Sequence, residues 1–226
     1  MICIPIVAKT NEEALERMAA SFRLADLVEL RADAIGGVNL KRLLSARRGP
    51  VIVTARRQEE GGSFDGNEKN RIALLCEAVR LEADLVDLEL STHTILAGMV
   101  QEEIRNGGSR TKLIVSHHDF DKTPPYRVLQ EICTRCVARG ADIVKIATTA
   151  RSMDDNIRIL RLVAWAQRKG HSIIAHCMGE MGKTSRAMAP LVGSYLSFAS
   201  LDEGQETAPG QLTASEMREI LRILET

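Results

Sequence analysis

Eight short runs rich in Val, Ile and Leu recur along the chain at intervals averaging about 28 residues, and stretches with helical apolar spacing lie between them. The runs are Ile2–Ala8, Asp26–Arg31, Val51–Ala55, Asp84–Leu90, Lys112–His118, Asp142–Ala147, Ser172–Cys177 and Tyr195–Phe198. Ile72, Leu75, Cys76 and Val79 form one helical apolar stripe, and Ile157, Leu160, Val163 and Ala164 another. Pro124-Pro125 is placed to open a helix, and Gly140 and Gly170 to close two. Regular alternation of this kind requires parallel strands joined by helical crossovers. With eight strands it predicts a closed parallel (β/α)₈ TIM barrel, one domain over residues 1–226. An open doubly wound sheet is the alternative, but it would carry a G-x-G-x-x-G turn after its first strand, and Ala8-Lys9-Thr10 has none.

The composition excludes several classes. A 45% hydrophobic content is enough for a substantial core, and with 3% aromatic residues that core must be aliphatic. Lys+Arg 30 against Asp+Glu 30 leaves no basic excess, which argues against a nucleic-acid partner. Charges interrupt every apolar run before the roughly 18 residues needed to cross a bilayer, and MICIPIVAKT has no basic n-region. A soluble, cytoplasmic protein without a membrane partner is expected. Five cysteines, an odd number, suit reduced thiols better than a disulfide framework.

In a parallel barrel the chemistry lies at the carboxyl ends of the strands, so charged residues there carry the functional argument. Period-two geometry puts Glu29 and Arg31 on one face of strand two, and Asp87 and Glu89 on one face of strand four. Strand six, Asp142-Ile143-Val144-Lys145-Ile146-Ala147, holds one ammonium inside an apolar run. A buried charge must be paired or neutralised, so Lys145 is either a salt-bridge partner of Glu29, Asp87 or Glu89, or an amine able to attack a ketone. The two roles are compatible.

Adjacent residues His117 and His118 point to opposite faces, so only one enters the barrel. One inward histidine beside a lysine and a carboxylate suits general acid–base chemistry at neutral pH. A metal site with His176 would lack any H-E-x-x-H pattern, and no metal is expected. Cys133 and Cys136 read as small residues at a helix–sheet interface. Gly179-Glu180-Met181-Gly182-Lys183-Thr184 has two residues between its glycines where a phosphate loop needs four. It reads instead as a turn that brings Arg186 toward the barrel mouth, where an arginine fork would suit a carboxylate or phosphate; a surface arginine is the other reading. Gly61–Gly66 and Asp202–Gly210 are candidate lid loops.

Six motifs, in order along nearly the whole chain, give it a close resemblance to type I 3-dehydroquinate dehydratase. They are Glu29-Leu30-Arg31-Ala32-Asp33; Arg56 with Glu60-Gly61-Gly62; Ser116-His117-His118-Asp119-Phe120; Asp142 to Ala147; Met178-Gly179 eight positions before Arg186; and Ala208-Pro209-Gly210-Gln211. The resemblance implies dehydration of 3-dehydroquinate to 3-dehydroshikimate, the third step of the shikimate pathway, without a metal or external cofactor. It implies that Lys145 forms an imine with the substrate ketone, that His118 is base and acid, and that Glu60 orients His118. Glu29, Arg31 and Arg56 match the residues that hold the ring hydroxyls, and Arg186 the one that binds the carboxylate. Thr207 and Gln211 match lid positions, Met178 and Phe198 an apolar wall. The family is commonly homodimeric.

The sequence departs from the family pattern in three places. His176 stands where a methionine is usual, the Phe198–Gln211 segment is about two residues longer, and strand one begins at Ile2 without the N-terminal hairpin of longer members, so side chains are expected to close the barrel bottom. A class I aldolase-type barrel is the nearest other reading, since it shares the strand-six lysine. A non-catalytic carboxylate-binding relative would be marked by loss of the lysine or histidine, and both are present.

Overall fold

The computed structural model describes residues 1–224, so the last two positions of the expected 1–226 domain lie outside the described residues. Strands and helices alternate throughout. The strands are β1 (Ile2–Ile6), β2 (Leu27–Arg31), β3 (Val51–Thr54), β4 (Leu85–Glu89), β5 (Lys112–Asp119), β6 (Ile143–Thr149), β7 (Ile173–Met178) and β8 (Ser197–Phe198). The helices between and after them are α1 (Asn11–Ser21), α2 (Leu40–Ser45), α3 (Glu68–Arg80), α4 (Thr94–Asn106), α5 (Tyr126–Ala138), α6 (Met153–Arg168), α7 (Lys183–Val192) and α8 (Ala214–Leu224). Pro125 stands immediately before α5, where its missing N–H leaves no helix bond unmade. Thr10 caps α1, and Ser152 with Asp155 forms a capping box on α6.

Each strand pairs in parallel with its sequence neighbour from β1 to β7, and β8 returns to pair with β1. The barrel is nearly closed. The seam differs from the expected Tyr195–Phe198 strand, because only Ser197 and Phe198 form a ladder, and they form it with β1. Across to β7 the seam is held by the Tyr195 N–H, which donates to the Ile173 carbonyl at 2.7 Å. Ser194 Oγ donates to the Leu196 and Ile173 carbonyls beside it, and so takes acceptors a longer ladder would have used.

The α3 stripe Ile72, Leu75, Cys76 and Val79 is buried as its spacing predicts. The α6 stripe is corrected: Ile157 is 57% exposed, and the buried face carries Ile159, Leu162, Val163 and Ala166. Asn156 accounts for the rotation. Its amide donates to the Met181 carbonyl at 2.8 Å and its oxygen accepts from the Ser185 N–H at 3.0 Å, which turns this side of α6 toward α7. Cys133 and Cys136 are buried on α5, facing the sheet side as read.

Inside the barrel, Cys3, Leu27, Ile52, Leu85, Ile114, Ile143, Ile174 and Leu196 form one apolar layer that fills the amino-terminal end. Two residues further along the strands the inward positions turn polar: Glu29, Thr54, Asp87, Ser116 and Lys145. The dry floor beneath them raises the value of every charge pairing above it.

Candidate active site

Lys145 ends 2.8 Å from Asp87 Oδ2 and 3.2 Å from Glu29 Oε1, with its ammonium 4.5 Å from the centre of the Phe198 ring. Of the three carboxylates that spacing allowed as partners, two are used. Glu89 points elsewhere: it accepts from Arg56 Nη1 at 2.9 Å and Arg71 Nη1 at 2.6 Å. Arg56 also meets Asp87 at 2.7 Å and Ser116 Oγ at 2.8 Å, and Ser116 donates to Asp87 at 2.6 Å. Lys145, Arg56 and Arg71 thus interleave with Glu29, Asp87 and Glu89, all of them buried. Burial alone would raise the Asp87 carboxyl, but Arg56 and Lys145 hold it far below the usual range. Glu29 is likewise lowered against its burial, by Lys145 and then Arg31.

His118 enters the barrel from β5, and the Nδ1 of its ring lies 2.9 Å from Glu60 Oε2. Glu60 comes from the loop after β3, 58 residues away in sequence, and is itself held by Ser91 Oγ at 2.7 Å. That loop folds hard against its own strand. A Cβ on Gly62 would stand 2.0 Å from the Arg56 carbonyl oxygen, so only glycine permits the turn that lifts Glu60 over the histidine. Burial, with Arg56 and Lys145 nearby, pushes the His118 pKa well below its ordinary value, so the ring is neutral near pH 7.

Arg186, in the first turns of α7, is fully buried, which settles its two readings against the surface one. Its Nη2 donates to the Pro209 carbonyl at 3.3 Å, while Nε and Nη1 have no hydrogen-bond partner among the described residues. Burial lowers its pKa to about 10. The loop after β8 arches over this guanidinium and is tied to the β7–α7 turn by the Gly179 N–H, which donates to Pro209 O at 3.0 Å. Gly210 (φ +75°) passes so close to Gly179 O that a Cβ would come within 2.1 Å. Thr207 donates its N–H to Gln211 Oε1 at 2.8 Å, which stiffens the loop locally.

One cavity of about 110 Å³ at the carboxyl ends of the strands is lined by Lys145, His118, Glu60, Glu29, Arg31, Arg56, Met178, Arg186, Phe198, Thr207 and Gln211. The structure therefore brings together in one cavity the eleven residues that the family resemblance assigned to the site. Pro5, Gly61, Phe120, Ala147, His176, Ala208 and Pro209 complete the lining. Phe120 stacks on His118 with centroids 6.3 Å apart. Arg71 was missed because it borders an apolar helical stripe and reads there as a solvated flank; its only signal is the Glu68 one turn earlier, which it binds at 2.8 Å. Among the described residues no three His, Cys, Asp or Glu converge as a metal-ligand set. No described helix is long and apolar enough to cross a membrane.

A profile of the type I 3-dehydroquinase family matches residues 2–226. The 3-dehydroquinate dehydratase of Methanococcus maripaludis is 37% identical over 225 residues, covering 99% of this chain and 100% of its own length. That of Desulfotalea psychrophila is 38% identical over 225 residues, covering 97% and 96%. Among solved structures, the type I 3-dehydroquinate dehydratase of Clostridium difficile with covalently modified comenic acid superposes with a TM-score of 0.88 at 27% identity, over 99% of this chain and 91% of that one. The Aquifex aeolicus 3-dehydroquinate dehydratase does so at 0.83 and 30%, over 99% and 98%. A 3-hexulose-6-phosphate synthase, at 14% identity and a TM-score of 0.63, shares the barrel fold.

Proposed function

Because this chain belongs to the type I 3-dehydroquinase family, hydro-lyases that act on 3-dehydroquinate, we propose that it dehydrates 3-dehydroquinate to 3-dehydroshikimate through an imine on Lys145. The observation that carries the reading is Arg186: a buried guanidinium with unpartnered N–H groups on the same cavity as Lys145. A carboxylate supplies the missing acceptors, and a ketone within reach of Lys145 on the same small ring meets the amine.

The chemistry follows from the neighbours. The Lys145 ammonium, paired with Asp87 and Glu29, lends one proton to His118 and adds to the ketone carbon as the amine. That proton returns to the carbinolamine hydroxyl, which leaves as water and gives an iminium whose positive charge keeps the same two counterions. Neutral His118 then takes the α-proton, and the electron pair moves into the enamine. The enamine returns that pair to expel the β-hydroxyl, which the His118 imidazolium protonates as water. Hydrolysis of the remaining iminium frees the product and restores the paired Lys145 ammonium. Glu60 holds the Nδ1–H of His118 through both protonation states, Arg31 and Arg56 line the side where ring hydroxyls bind, and Met178 and Phe198 form the apolar wall. Thr207 and Gln211 belong to the lid.

The same reading includes the third step of the shikimate pathway, a cytoplasmic location, a homodimer, one catalytic domain over residues 1–226, and no external cofactor or metal. A class I aldolase-type barrel would share Lys145, and turnover of a small panel of ketones separates the two. The test is incubation with 3-dehydroquinate while following the conjugated enone by ultraviolet absorbance, with borohydride added during turnover. Enone formation and a reduced adduct mapped to Lys145 alone are expected. No enone, or an adduct on Lys9, Lys112 or Lys183, overturns the proposal.

A further inference from the structure

His176 is an inward residue of β7, opposite Ala147 of β6, and is 5% exposed. The ring is largely withdrawn from bulk water, and folded proteins normally give imidazole nitrogens in such a place a partner. Among the described residues His176 has no hydrogen-bond partner. Its directed contact is apolar, the Phe198 ring met edge-on with centroids 6.0 Å apart at 63°. Phe198 is in turn covered by the Lys145 ammonium, so the imidazole is braced against a wall that is itself fixed. The ring lines the cavity, and the cavity is where its nitrogens can be satisfied.

The titratable groups that face it are Arg186 from α7, Lys145 from β6 and His118 from β5. Burial and these neighbours keep His176 neutral, with one N–H to donate and one nitrogen to accept. Unlike His118, it has no carboxylate to hold its tautomer and support a charged ring, which argues for binding rather than proton transfer. His176 and Arg186 line the same small cavity, and the Cys177 N–H, next to His176, donates at 2.8 Å to the hydroxyl of Ser185, next to Arg186, so an anion seated on the guanidinium lies at the His176 end of the cavity.

We propose that His176 is a substrate-binding residue, its ring N–H donating to an oxygen of the carboxylate that Arg186 holds. The inference rests on the dehydratase reading above and extends it: the carboxylate is gripped from two elements, α7 and β7, by one charged and one neutral donor. An apolar side chain at this position would leave that oxygen facing hydrocarbon.

Steady-state kinetics of His176→Met and His176→Asn with 3-dehydroquinate, and calorimetric binding of the product 3-dehydroshikimate, test it. His176→Met should raise KM and weaken product binding about tenfold, the scale of one hydrogen bond to a charged group, with kcat changed less than about threefold. His176→Asn should recover part of the loss, and thermal melts show whether both variants are folded. Because the two donors share one ligand group, combining His176→Met with Arg186→Lys should raise KM by less than the product of the single effects. Unchanged KM and product affinity in a folded His176→Met, a multiplicative double variant, or a collapse of kcat at constant KM each overturn the assignment. Turnover by the unaltered protein is the separate check on the dehydratase reading, whereas His176 is judged only on the variant-to-parent ratios of binding.

Discussion

Nδ1 of His118 lies 2.9 Å from Oε2 of Glu60, and this single contact decides which nitrogen of the ring is free to act. A carboxylate only accepts hydrogen bonds, so the neutral ring carries its proton on Nδ1 and leaves Nε2 with an open lone pair. Because Glu60 rides on a glycine turn locked against Arg56, the tautomer is set by backbone geometry.

Burial and nearby cations keep His118 neutral below the ordinary histidine range, so the acid limb of kcat/KM for the free enzyme should fall below pH 6.5. His118→Ala should lower kcat by about 10² to 10⁴, and Glu60→Gln by less, since the amide still fills the space but no longer supports a charged ring. A pH–rate series on the three proteins checks this. Near-normal kcat in folded His118→Ala would falsify the assignment.

Arg186→Ala should raise KM roughly thirtyfold or more, about 2 kcal/mol of charge-assisted hydrogen bonding, because the carboxylate is held alike in ground and transition states. Arg186→Lys keeps the charge but loses the fork and should recover only part. If both variants keep the parent KM, the carboxylate binds elsewhere.

Arg71 reaches Glu89 at 2.6 Å from α3, and Glu89 in turn holds Arg56. Arg71→Met removes one cation from this buried set and leaves Glu89 undercompensated, so stability should fall by roughly 3–5 kcal/mol. Adding Glu89→Gln should give back part of that loss, since the uncompensated charge is gone. Denaturant unfolding measures both, and a loss under about 1 kcal/mol for the single variant contradicts the picture.

The pH dependence of stability has a definite sign. His118 and His176 both have folded pKa values well below 6.5, so below that pH the unfolded chain binds protons that the folded chain refuses. Stability is therefore full above pH 6.5 and falls as pH drops toward the folded values. Asp87, also lowered on folding, adds a second loss of the same sign beginning below its ordinary value near 3.8. Melting temperatures across pH 4–8 should show the first loss, reduced in His176→Met; a flat profile between pH 7 and 5 in the parent protein would contradict it.

The family resemblance chose His118 over its neighbour His117, whereas the order of strands and helices, the parallel barrel, and the inward parity of Glu29, Asp87, Glu89 and Lys145 were legible in the amino-acid sequence. Each rests on periodicity within one element, and a period of two on a strand or 3.6 on a helix is written in consecutive residues. The family motifs likewise name residues of the cavity, because motif spacing records which side chains stand at the carboxyl ends of strands. The α6 stripe failed for a local reason: Asn156, a polar residue, takes a buried place on the helix because α7 supplies partners for it.

What the tertiary structure alone decided is pairing. Lys145 could reach three carboxylates by spacing, and the stagger of the barrel gives it Asp87 and Glu29 while sending Glu89 to Arg56 and Arg71. The unpartnered N–H groups of Arg186 and the unpartnered ring of His176 are absences of a neighbour, which no local pattern encodes. Among the described residues the β7–β8 seam rests on one backbone hydrogen bond, between residues 22 apart, for the same reason. Periodicity fixes the direction in which a side chain leaves its own element, whereas the partner it meets depends on register, side-chain reach and the closure of the whole barrel.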